Sequence, residues 1–174
     1  ERSHMQNKSF RESLLNTFDK SEFVGCSTSG EIQNTAVLDD SLCLTALKFD
    51  RSHVHVVDGV YAAEHDAFGF GRDLAAQIPQ QDLKHIFLIS DGQLVNGTKL
   101  VEGITSQLPS EIMVTGGLAG DAVRFQETVV WHNHKVTPGL VVLIGLYGES
   151  LKIGFGHMGG LKPFGPLREV TRSD

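Results

Sequence analysis

The sequence predicts a mixed α/β domain, a mixed parallel and antiparallel sheet with about three helices and roughly seven to nine strands. Three observations carry this. Residues 85–117 run strand, helix, strand, the order of a parallel crossover. The last third of the chain holds apolar runs separated by short polar turns, which predicts antiparallel pairing. Runs such as FLIS (87–90) and LVVLIGL (140–146) are almost wholly apolar, as expected of strands covered on both faces. The length, 174 residues, suits one domain, and a hydrophobic content of 40% is enough for a core.

The elements follow in order. Residues 1–5 read as a cloning remnant, which leaves the domain at residues 6–172. Ser9-Phe10-Arg11-Glu12 is a capping box that opens a helix, with Phe10, Leu14 and Phe18 on one face and Leu15 beside them. Phe23–Cys26 is a short buried strand. A domain that enters a central strand straight from a helix suggests that an earlier strand is missing. Leu42–Phe49 and Val54–Val60 are strand-like runs joined by Asp50-Arg51-Ser52-His53, which predicts a hairpin. Residues 66–78 are helical in pattern and end at Pro79, although Gly69 and Gly71 weaken that helix. His85–Ser90 is an apolar strand. Asn96 caps the next helix, which carries Leu100, Ile104 and Leu108 on its stripe and ends before Pro109. Ile112–Thr115 is a second short buried strand. Thr128–His134, Gly139–Tyr147 and Leu151–His157 complete the set, and the tail from Gly159 is an extended connector.

Charge and composition exclude some functions. The net charge is -6 and the basic residues are scattered singly, which argues against a nucleic-acid surface. No apolar run approaches the length of a membrane span, and no signal-peptide core is present, so a cytoplasmic location is expected. Cys26 and Cys43 are then expected as free thiols, small buried hydrophobes in strand-like runs.

The chemistry concentrates in Gly-rich strand ends. FVGCSTSGEI (23–32) admits three readings. As a catalytic turn it lacks the G-x-S-x-G spacing of a nucleophile elbow, and no His stands near Cys26 or Ser27 to act as base. As a plain bend, its glycines permit tight backbone geometry. As a ligand cradle, Ser27, Thr28 and backbone N–H groups donate while Glu31 accepts from an amine or an Arg. GGLAGD (116–121) follows a strand but lacks the G-x-G-x-x-G spacing of a dinucleotide site. If the two strands are neighbours, both turns line one sheet edge, where ligands commonly bind. The pairs His53/His55 and His132/His134 have metal-like H-x-H spacing, yet each stands at a polar strand end where solvated histidines are the ordinary finding, so no metal is assigned. His157, hemmed by glycines in GFGHMGG, is a structural histidine first, with a haem axial ligand or a pocket donor as the other readings.

FVGCSTSGEI, VTGGLAGD and GFGHMGGLKPFGPLREVT occur in the order and spacing of the FIST domain, and the chain resembles the N-terminal FIST module over about residues 10–172. That family pattern continues into a C-terminal FIST module, which is missing here, so the resemblance implies a fragment of a two-module protein. It implies an intracellular sensory module without catalysis. Such a module binds a small molecule, with amino acids proposed, and signals to a partner such as a histidine kinase. Some members resemble haem-based nitric-oxide sensors, which makes His157 the haem candidate, with a Cys/Ser hydrolase as the remaining alternative. The expected ligand-binding residues are Gly25, Cys26, Ser27, Thr28, Gly30, Glu31, Gly116, Gly117, Asp121 and His157.

Overall fold

The computed structural model describes residues 2–62, 66–156, 159, 164–166, 169 and 171–172. Among these it holds helices α1 (Arg2–Gln6), α2 (Lys8–Thr17), α3 (Ala67–Ala75) and α4 (Gly97–Thr105). The strands are β1 (Val24–Cys26), β2 (Glu31–Gln33), β3 (Ala36–Leu38), β4 (His53–Val60), β5 (Leu83–Ser90), β6 (Met113–Leu118), β7 (Val130–His132), β8 (Lys135–Val136) and β9 (Leu140–Tyr147). The mixed α/β reading holds.

The main sheet has the order β4-β9-β5-β6. β5 and β6 are parallel, as the crossover pattern predicts, and β9 is antiparallel to both β4 and β5. β9 lies at the centre and is apolar on both faces for that reason. Val141 and Leu143 pack towards α3 and α4 with Leu74, Leu100 and Ile104, all buried. Leu140 and Val142 face the other way, against Val130, Val24 and Cys26. That second layer is the small sheet β1-β7-β8, whose outer face is covered by α1 and α2 through Met5, Phe10, Leu14, Phe23 and Trp131. β7 therefore divides its side chains between two cores, Val130 inward and Trp131 outward, as strand alternation requires.

The glycines at the α3–α4 crossing have a packing reason. A Cβ on Gly71 would stand 2.4 Å from the Leu100 carbonyl oxygen, and one on Gly103 2.1 Å from that of Phe68, so the helices cross at backbone contact. Asp66 and Asn96 cap α3 and α4 through their side-chain oxygens.

The structure corrects several expectations. Asn7, not Ser9, caps α2 by accepting from the Phe10 N–H at 3.1 Å, because the helix starts at Lys8. Residues 2–6 form the short α1, with Met5 buried under β1. Residues 42–49 are not a strand and make no hairpin with β4, whose partner is β9. Instead Glu31–Leu38 forms the hairpin β2–β3, turning at Asn34 with a φ of 55°. Residues 151–156 are likewise outside any strand, and 128–134 shortens to β7. An apolar alternation becomes a strand only when a neighbouring strand takes up its backbone groups; among the described residues, 42–49 makes no backbone–backbone bond and 151–156 only the turn bond from the Leu151 N–H to the Gly148 carbonyl.

Candidate functional site

The two Gly-rich turns meet, although their strands lie in different sheets. The Gly120 N–H donates to the Ser27 carbonyl at 2.9 Å. The approach is close enough that a Cβ on Gly120 would lie 2.5 Å from the Ser29 hydroxyl. Ser27 is wholly buried and stitches the turn to residue 129: its N–H donates to the Val129 carbonyl at 2.8 Å, and its Oγ accepts from the Val129 N–H at 2.9 Å. Asp121 is buried at the other side of the junction. One oxygen accepts from Arg124 Nε at 2.9 Å; the other accepts from Arg2 at 3.1 Å and from the Gln126 and Glu127 N–H groups. Burial works against its charge, but the bonds from Gln126, Glu127 and Arg124 outweigh it and hold the carboxyl below its usual range. Both residues are thus engaged in holding the turns together.

Four of the predicted residues line one cleft. Gly25, Cys26, Thr28 and Glu31 form a wall along β1 and the turn after it, and Leu42, Cys43 and Leu44 form another. Met5, Phe10, Leu14 and Trp131 close its apolar end, and its volume is about 120 Å³. Glu31 is oriented from two sides: the Thr28 hydroxyl donates to one oxygen at 2.6 Å and the Ser41 hydroxyl to the other at 2.9 Å. Burial pushes its carboxyl up, yet the Thr28 hydroxyl, the chain's amino terminus and the Ser41 hydroxyl together hold it below the usual range, so it stays ionised at neutral pH. Burial pushes the Cys26 thiol up, which keeps it protonated. Gly30 turns the chain into β2 with a φ of 140°.

Gly116 and Gly117 lie elsewhere. They line a second, more open cleft of about 590 Å³ between the edge strand β6 and the start of α4, with Gly97, Thr98, Val101 and Leu118. His157 lies outside the described residues. The first cleft has no histidine in its wall among the described residues, and its volume does not fit a porphyrin. No metal-ligand cluster occurs among the described residues. The His132 ring instead sits between Asp58 at 2.6 Å and Glu22 at 3.1 Å, and His53 stacks on Tyr147.

The model of the FIST N domain matches residues 2–174. The chain belongs to this family. The FIST N domain is a sensory module of signal-transduction proteins. No curated protein matches the chain. No helix among the described residues is long and apolar enough to cross a membrane.

Sequence reasoning missed Cys43, Leu42 and Trp131 as cleft residues. Only the fold brings residues 42–44 beside β1, and no local motif signals it. Asp91 was missed as well. It is buried and accepts from the Gln93, Leu94 and Gly139 N–H groups, fixing the end of β5 beside the junction. The Asp-Gly break after the strand was its one visible signal.

Proposed function

We propose that this FIST N domain is the ligand-binding part of a cytoplasmic signalling protein, not an enzyme. Its cleft at β1 takes a small molecule of the amino-acid class. The observation that carries this is the ionised Glu31 carboxylate, fixed by Thr28 and Ser41, in the wall of a cleft whose other lining residues are mostly apolar. A fixed negative charge beside an apolar wall suits an ammonium with a short side chain. The volume, about 120 Å³, is well below that of drug-sized pockets and limits the ligand to a few heavy atoms. Binding shifts the conformational population of the walls, and a partner such as a histidine kinase reads the shift.

The hydrolase alternative finds little support in the site. The Ser27 oxygen is buried and accepts from the backbone, and the Cys26 thiol is held protonated, with no histidine among the described residues of the cleft wall and with the Glu31 carboxylate bound by Thr28 and Ser41. Titration calorimetry with a panel of small amino acids tests the proposal. Saturable binding by wild type that weakens about tenfold in Glu31→Gln and Thr28→Val is expected from the loss of one charged or hydroxyl partner. Equal affinity in all three proteins would refute it.

A further inference from the structure

The wall of the cleft opposite β1 belongs to an arm, residues 42–49, with an unusual status. It has no helix or strand and, among the described residues, takes part in no backbone–backbone hydrogen bond. Leu44 and Leu47 on it are exposed. The arm nevertheless runs beside β1: Leu42–Leu44 line the first cleft, and Leu44–Leu47 line a groove of about 140 Å³ against Ser21–Val24.

β1 presents the arm with an open edge. It is the end strand of its sheet. On the β7 side the Phe23 carbonyl accepts from the Asn133 N–H and the Ser27 N–H donates to the Val129 carbonyl. Alternation along an antiparallel ladder then turns the N–H and C=O of Val24 and Cys26 to the other side, towards the arm. Both cysteines stand at this junction, Cys26 on β1 and Cys43 on the arm, and both line the same cleft.

We propose that Cys26 and Cys43 form a reversible disulfide that fastens the arm to the open edge of β1 and closes the cleft. Strand pairing sets facing Cα atoms about 5.5 Å apart, inside the window of about 4.4–6.8 Å that a disulfide spans. The arm can make that approach because no backbone bond among the described residues holds it elsewhere. The oxidant is a low-molecular-weight disulfide such as glutathione disulfide. Cys43 is the exposed thiol and reacts first: its thiolate attacks one sulfur of glutathione disulfide and expels one glutathione thiolate. The Cys26 sulfur then attacks Cys43 Sγ in the mixed disulfide and expels the second glutathione. The two protein thiols are oxidised, one external disulfide is reduced to two thiols, and the two protons go to the glutathione thiolates. Burial of Cys26 makes it the slower, resolving partner. The bond itself is independent of the ligand reading; that it gates access to the ligand rests on that reading.

The test is peptide mapping under non-reducing conditions after the reduced wild-type chain is incubated with glutathione disulfide, with amide exchange measured on both forms. The expected result is a monomer with residues 26 and 43 linked, and exchange of residues 42–47 slowed by at least about tenfold as the arm gains backbone partners. A glutathione adduct that persists on Cys43 with Cys26 reduced would overturn the proposal. Links found only between two chains, or a 26–43 link that leaves exchange of the arm unchanged, would overturn it too. Mapping uses wild type alone, so no variant has to fold. Calorimetry on the reduced chain judges the ligand reading separately, and a chain that binds no amino acid still shows whether the disulfide forms.

Discussion

Replacing Ser27 with Ala separates the structural part of the first motif from its binding part. The Ser27 oxygen is buried and accepts the Val129 N–H at 2.9 Å. Ala removes the acceptor and leaves that N–H buried without it, while the second bond of the pair, from the Ser27 N–H to the Val129 carbonyl, remains. An unsatisfied buried donor costs about 1–3 kcal/mol. For a domain of this length each kcal/mol shifts Tm by about 2–4 °C, so a fall of about 2–12 °C is expected. Thermal unfolding followed by circular dichroism reads the shift, and calorimetry reads ligand affinity in the same protein below its Tm. The expected result is lower stability with affinity kept within about twofold, which is less than about 0.5 kcal/mol. An unchanged Tm with lost binding would refute it, because Ser27 would then be serving the ligand and not the β1–β7 seam.

Three further outcomes follow from the same geometry. Burial holds the imidazole of His85, which bonds Thr115 at 2.8 Å, below its usual pKa, so the unfolded chain takes up the proton first. Its contribution to stability is therefore present above pH 6.5 and is lost as pH falls below that value towards the folded-state pKa; denaturant unfolding from about pH 7.5 to about pH 5 should show the loss, and His85→Gln should flatten it. Gly103→Ala forces a methyl to within 2.1 Å of the Phe68 carbonyl oxygen and should lower stability by about 1–3 kcal/mol, read from the urea midpoint; a neutral result would mean that α3 and α4 do not cross at backbone contact. Glu31 is held below its usual range, so binding of an ammonium ligand should persist to about pH 5 and weaken as acid protonates the carboxylate; affinity that rises on acidification would contradict that role.

Parts of this fold were legible because local chemistry alone determines them. The helix at 97–105 announces itself by the Asn96 cap and the stripe Leu100, Ile104, Leu108. The β5–β6 crossover follows from two apolar strands around that helix. The continuous run at 140–146 marks a strand buried on both faces, and β9 is one. Residues 42–49 and 151–156 show the limit. Their apolar pattern resembles that of β4, but β4 has β9 beside it and they have no comparable partner among the described residues. The β2–β3 hairpin escaped for the opposite reason: its strands have three residues each, too few to show a period, and only Asn34 marks the turn.

The candidate site was legible in its first half. FVGCSTSGEI placed Cys26, Thr28 and Glu31 together because they share one turn. The meeting of the two Gly-rich turns was expected only under the condition that their strands were neighbours. The structure achieves it differently, through the Gly120–Ser27 bond between two sheets. Separation of Gly116 and Gly117 from Asp121 depends on a change of direction after β6 that no residue pattern reveals.

On the proposed reading, a fixed Glu31 carboxylate makes the β1 cleft a site for small ammonium-bearing molecules. Calorimetry of the reduced chain against small amino acids, beside Glu31→Gln, tests it most directly. Saturable binding to wild type that falls about tenfold in Glu31→Gln, at unchanged Tm, is the predicted result. Binding that is absent from wild type, or identical in the two proteins, would contradict it.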